Sequence, residues 1–111
     1  MLIAQRDLTL RDGSSIKKIV VRVFAPTEER PGVCGCRYEI GWPEGMCTAT
    51  VRGVDMVQAL VLALQVIAAE IYGSDHHKSG DLFWDAPGNG YGFPVAPTLR
   101  GLLVGDDKTY L

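Results

Sequence analysis

Three observations place this chain among two-layer α+β folds. Its first half alternates β-branched and polar residues between tight-turn signals. A single long apolar run follows from Val54 to Tyr72, and the final third is rich in glycine, proline and aromatics. The expected architecture is a four-stranded antiparallel meander with one long helix packed across it, plus a loop-rich C-terminal tail with short strands. At 111 residues the chain is a single domain over 1–111, burying roughly two-thirds of its unfolded surface in one modest core.

The first strand, Leu2 to Leu10, carries Leu2, Ala4, Leu8 and Leu10 on one parity, and Arg6 breaks that apolar side. Asp12-Gly13 supplies a hairpin turn, because glycine accepts the positive φ such turns require. The second strand, Ile16 to about Ala25, sets Ile19, Val21 and Val23 against Lys18, Val20, Arg22 and Phe24. Pro26 to Gly32 is expected to loop, since two prolines and three charged residues cannot sustain a ladder. The third strand, Val33 to Trp42, points Cys34, Cys36, Tyr38, Ile40 and Trp42 one way. After the Pro43–Met46 turn, the fourth, Cys47 to Arg52, points Cys47, Ala49 and Val51 inward. Short turns between four strands make a meander.

Gly53 hands over to the helix, where Asp55 meets the positive end of the helix dipole. Gly73 is expected to end it in the left-handed region. Met56, Val57, Leu60, Val61, Leu64, Ile67, Ala68 and Ile71 form the expected inward stripe, and Asp55, Gln58, Leu62, Gln65 and Ala69 the opposing strip. So apolar a helix is covered on more than one side or pairs with a second copy, which makes a homodimer through Gln58, Leu62, Gln65 and Ala69 one expectation. A membrane span is disfavoured, because Asp55 and Glu70 lie inside the run and charged groups in hydrocarbon cost on the order of 3 kcal/mol each. Beyond Gly73, Leu82–Trp84 and Tyr91–Val95 read as short strands with a turn between them, and Leu102–Val104 as a last strand or coil.

Eleven basic against thirteen acidic residues leave a formal net charge of -2. That balance offers no footprint for nucleic-acid phosphates and none for anionic lipid. The N-terminus shows no charged-then-apolar signal pattern, so a cytoplasmic location is expected. No metal site is expected from Cys34, Cys36 and Cys47, whose spacing matches no zinc knuckle. If Trp42 pairs with Cys47, Cys36 falls opposite Gly53 and the thiols lie far apart along the ladder, as buried structural residues.

No catalytic residue and no cofactor are assigned. Ser74-Asp75-His76-His77 holds the residue types of a triad, but a triad is a spatial arrangement that adjacency does not provide. Glu28-Glu29 and Asp106-Asp107 read as solvated charge. Gly88-Asn89-Gly90-Tyr91-Gly92 resembles a phosphate loop, yet Phe93-Pro94 follows where such a loop needs a helix, so its glycines read as tight turns or close backbone approaches. The residues singled out for binding are Trp84, Tyr91, Phe93, His76, His77 and Asp85. The aromatics either form a second small core that pins the tail or anchor a partner. The histidines either cap the helix or present themselves to a ligand.

Gly53-Val54-Asp55-Met56-Val57-Gln58-Ala59-Leu60, Leu82-Phe83-Trp84 and Gly90-Tyr91-Gly92-Phe93-Pro94 together resemble a family of small bacterial proteins of unknown function, from the first strand to Val95. The resemblance implies a bacterial cytosolic single-domain protein and brings no activity with it. The expected function is a non-catalytic module that binds a cognate protein, as an immunity or adaptor protein does. The alternative is a small-ligand binder or small enzyme with His76, His77, Asp85 and Tyr91 around a pocket between the tail and the helix end.

Overall fold

The computed structural model describes residues 1–110, with the backbone alone at 98–100 and 109–110. β1 (Leu2–Asp12) and β2 (Ser15–Phe24) form the first hairpin, with Gly13 at φ 61° in its turn. The chain does not then loop as expected: β3 (Thr27–Arg30) resumes pairing directly after Pro26. Pro26 falls at the joint between β2 and β3, where its missing N–H interrupts a ladder without occupying the middle of a strand. Pro31 and Gly32, the latter at φ 79°, close the turn into β4 (Val33–Trp42).

β4 is the axis of the sheet. One of its edges pairs first with β3 (Thr27↔Gly35) and then with β2 (Val21↔Ile40), and the other pairs with β5 (Gly45–Gly53) along its length. The β4–β5 register is two residues away from the expected one: Trp42 faces Gly45, Cys36 faces Val51 and Cys34 faces Gly53. A shift of two preserves which face each side chain occupies, so Cys34, Cys36, Tyr38 and Ile40 are still buried. The tight two-residue turn at Pro43-Glu44 sets this register.

α1 (Met56–Gly73) starts at Asp55, whose carboxylate accepts from the Gln58 N–H at 2.7 Å, while the Gln58 side chain accepts from the Val54 N–H at 2.7 Å. One of the four N–H groups that open the helix, that of Gln58, is thereby satisfied by the cap, and the reciprocal Gln58 bond falls one residue outside it, on Val54. Gly73 is helical rather than left-handed. The cap is Ser74, whose N–H and hydroxyl both donate to the Ile71 carbonyl. Ser74 also opens α2 (Asp75–Lys78), accepting from the His77 N–H at 3.1 Å.

The face α1 turns to β4 and β5 differs from the expected stripe. Ala59, Ala63, Ile67, Ala68 and Ile71 are buried, Leu60 and Leu64 are half-buried against the core, and Met56, Val57 and Val61 are exposed. The approach is close where the helix begins: a Cβ on Gly53 would lie 2.6 Å from the Ala59 nitrogen, and Ala59 and Ala63 are fully buried in that half of the helix. Ile67 and Ile71 are fully buried further along, while Leu60 and Leu64 stand to the side. The proposed dimer strip is likewise not a free face, since Leu62, Gln65 and Ala69 are half-buried and Gln58 alone is exposed.

In the tail the strand expected at Leu82–Trp84 forms as β6 (Leu82–Phe83), pairing with Leu10 and Thr9 of β1, and with β3 it brings the sheet to six strands in place of a four-stranded meander. Tyr91–Val95, expected as a strand, is irregular, with Gly92 at φ 76° in its middle; Pro97–Leu102 is a 3-10 segment, and α3 (Gly105–Tyr110) follows. Tyr91, Phe93, Val95 and Leu103 join the same core as Leu8, Ile19, Val21 and Ile67. The opposite face of the sheet carries charged side chains, among them Arg37 paired with Glu39 at 2.8 Å and Arg52 with Glu29 at 2.8 Å. Glu29 reaches Arg52 by passing over Gly35, whose Cβ would lie 2.6 Å from its carboxylate, so Glu29 is ion-paired and not merely solvated.

Candidate functional site

The densest polar constellation is one that sequence reading placed in solvent. Asp107, on the first turn of α3, is 2% exposed. Its Oδ2 accepts from the Tyr72 hydroxyl at 2.6 Å and from the Tyr91 N–H at 2.8 Å, and its Oδ1 accepts from the Gly92 N–H at 2.7 Å. Buried carboxylates persist only when hydrogen-bonded in this way. The loop that presents the two N–H groups runs through Gly90 at φ 83° and Gly92 at φ 76°. A Cβ on Gly90 would lie 2.4 Å from the Asp107 carboxyl carbon. Successive N–H groups in such a turn form a concave anion nest. The glycine-rich loop is therefore anion-binding after all, and the anion it holds is the chain's own.

Arg6 supplies the positive charge above this nest. Its guanidinium donates to the Tyr91 and Gly92 carbonyls at 3.0 and 3.1 Å, with the Trp84 ring centroid 3.9 Å away and that of Phe93 at 5.1 Å. Burial lowers its pKa below the usual guanidinium value, and the Asp107 charge acts in the opposite sense. Arg6 broke the apolar parity of β1 because that position faces the tail, not an aliphatic core. The parity break was the one signal that could have identified it.

Tyr91 joins the nest to α2. Its hydroxyl lies 3.2 Å from the Leu82 carbonyl, to which it can donate, and 2.6 Å from His77 Nδ1, with which it shares a hydrogen bond. Tyr72 meets both rings edge-on, with centroids at 4.8 Å from His77 and 5.3 Å from Tyr91. Desolvation lowers the His77 pKa and pushes Tyr91 up to about 12. It also raises Tyr72, with its hydrogen bond to Asp107 adding to the shift. At neutral pH these shifts keep the His77 imidazole neutral and the Tyr72 and Tyr91 phenols protonated.

The six residues singled out for binding are thus divided. Tyr91 and Phe93 are buried, and Trp84 is half-buried beneath Arg6. His77 meets Tyr91, but His76 turns away to stack on Trp42 with centroids 5.4 Å apart and to contact Glu44 at 2.9 Å. The carboxylate of Glu44 is held below its usual pKa by that contact. Asp85 is exposed at φ 63° in a three-residue turn closed by the Ala86 N–H to the Trp84 carbonyl at 2.7 Å. Of the pocket expected around His76, His77, Asp85 and Tyr91, a cavity of about 220 Å³ is lined by His77 and Tyr91 with Leu82, Phe83 and Val104, and His76 and Asp85 lie outside it.

Among the described residues no three His, Cys, Asp or Glu side chains are placed to share a metal ion. Burial raises the thiol pKa of Cys34 and Cys36, which makes both poor nucleophiles. One groove runs where sheet, helix and tail meet. It holds about 210 Å³ and is lined by Ala4, Arg6, Val21, Val23, Leu64 and Phe93, together with their neighbours Gln5, Gly92 and Pro94. Beside it runs the outer edge of β1, which among the described residues pairs with β6 at Thr9 and Leu10 and bonds Asp81 through the Arg11 N–H at 2.9 Å, and Met1, Leu2 and Ile3 are exposed.

Residues 4–95 match the model of a domain of unknown function (DUF6968), and the chain belongs to that family. No curated protein and no solved structure matches it.

Proposed function

We propose that this member of the DUF6968 family is a non-catalytic protein-binding module of a bacterial cytosol, which receives an extended segment of a cognate partner at the β1 edge and the adjoining groove. The observation that carries this reading is the groove itself. About 210 Å³ falls short of the roughly 300–1,000 Å³ usual for small-molecule sites, and suits one or two anchoring side chains of a peptide. Its lining is mainly aliphatic, and its one charged member, Arg6, is already engaged with the tail. The exposed backbone of Leu2–Gln5 lies alongside, and strand addition to such an edge draws affinity from main-chain hydrogen bonds and specificity from alternate side chains. A partner neutralised or escorted in this way describes an immunity or adaptor protein.

Co-purification with the product of an adjacent gene tests the reading. Ala4→Lys, at the groove mouth, and Ile3→Asp, on the β1 edge, should each weaken the complex at least about tenfold, the equivalent of 1.4 kcal/mol, with an unchanged circular dichroism spectrum. A complex indifferent to both substitutions rules the surface out. A chain that instead sediments as a dimer, and that Ile3→Asp dissociates, assigns the edge to a second copy.

A further inference from the structure

We propose that the Gly90–Gly92 loop, with the Tyr72 hydroxyl, is a carboxylate-recognition site, which Asp107 fills in cis and which an acidic side chain of a peptide fills when the segment bearing Asp107 is withdrawn. The site is built to one shape of anion. The two N–H donors are split between the two carboxylate oxygens, Tyr91 to Oδ2 and Gly92 to Oδ1, and the Tyr72 hydroxyl completes Oδ2. Three donors on two coplanar oxygens match a carboxylate and leave a tetrahedral anion with unserved oxygens. The Arg6 charge favours any anion held there.

Two further observations separate the receptor from its occupant. The three donors, on Tyr72, Tyr91 and Gly92, lie within the matched residues 4–95, as does Arg6, and Asp107 lies outside them. The occupant also arrives on a segment seated by its own contacts. Gly105, at φ 56°, abuts Asn89 so closely that a Cβ would lie 2.5 Å from the Asn89 Cα. The Asp106 N–H donates to the Asn89 carbonyl at 3.0 Å, and Leu103 is buried. The receptor and the segment that delivers the acid are thus distinct parts, as a site and a tethered ligand are. The inference stands on this nest and does not depend on the β1 groove.

Chemical rescue tests it. In full-length Asp107→Ala, sodium acetate should raise the melting temperature saturably, with sodium chloride at equal ionic strength ineffective. Wild type should show no acetate response, because its site is filled. A peptide Leu-Val-Gly-Asp-Asp should act at lower concentration than acetate, and its Asn-Asn counterpart should fail. If Asp107→Ala does not fold, the same titration reads refolding by circular dichroism, with acetate recovering signal that chloride does not. Absence of any acetate-specific effect overturns the proposal, as does an equal effect in wild type. A stronger effect from phosphate than from acetate also overturns it, because the site would then be a general oxyanion nest.

Discussion

The two halves of the inner sheet face are closed by opposite means. Over β4 and β5 lies α1, which satisfies its own backbone hydrogen bonds and needs only shape: Ala59 and Ala63 at the closest approach, Ile67 and Ile71 filling the space beyond. Over β1 and β2 lies an irregular tail, whose peptide groups have no ladder to join. Unpaired buried N–H groups each cost about 1–3 kcal/mol, and the tail meets that demand with imported charge, Asp107 for the N–H groups and Arg6 for the carbonyls. A helix can cover a sheet with aliphatics alone. A coil doing the same work has to bury ions.

Four measurements sharpen or break that contrast. The largest effect is expected on the helix side: Ile67→Ala, at a fully buried position, should lose about 3 kcal/mol in urea unfolding, and a loss below about 1 kcal/mol would mean that α1 is loosely seated. Ala63→Leu should cost about 2 kcal/mol, because the closest approach leaves no room for three further carbons; a neutral or stabilising result would show the helix standing off the sheet. On the tail side, Tyr72→Phe removes only the hydroxyl donated to Asp107 and should cost about 1.5 kcal/mol, as expected for a hydrogen bond to a charged group. An unchanged midpoint would place the carboxylate's support wholly in the backbone nest.

The smallest effect concerns pH and falls on the tail side alone, where His77 and Tyr91 titrate in opposite directions. Burial depresses the His77 pKa, so its contribution is complete above the unfolded value of about 6.5 and is lost as pH falls through the folded value. Tyr91, raised to about 12, contributes fully below about pH 10, and that contribution is lost as pH rises toward 12. Amide protection at Leu82–Phe83, taken relative to intrinsic exchange at each pH, should therefore fall at both extremes, while protection in the middle of α1 should hold. An equal fall in both regions would show the two halves opening as one.

How much of this was legible in the sequence follows from the same contrast. The strands at Val33–Trp42 and Ser15–Phe24 and the helix at Met56–Gly73 announce themselves by periodicity, because each repeats one environment along its length. β3 was hidden by its proline and its charged side chains, since nothing local shows that β4 extends far enough to receive it. The rotation of α1 was hidden because hydropathy favours large residues, and the contact line selected alanine. Asp107 was the hardest to read. Its partners lie 15, 16 and 35 residues away, and an aspartate beside another aspartate looks solvated wherever it occurs. The clue was on the other side of the bond, in glycines at Gly90 and Gly92 arranged as if for a phosphate.

Ser74 has a mechanical consequence. One residue terminates α1 and initiates α2, so no slack separates the long rod from the short turn that carries both imidazoles. The short turn sets His77 against Tyr91, and Tyr91 lies in the loop that holds Asp107, so both helices are joined to that loop through one residue. Inserting a single residue between Ser74 and Asp75 should therefore keep the cap of α1 and strip that of α2.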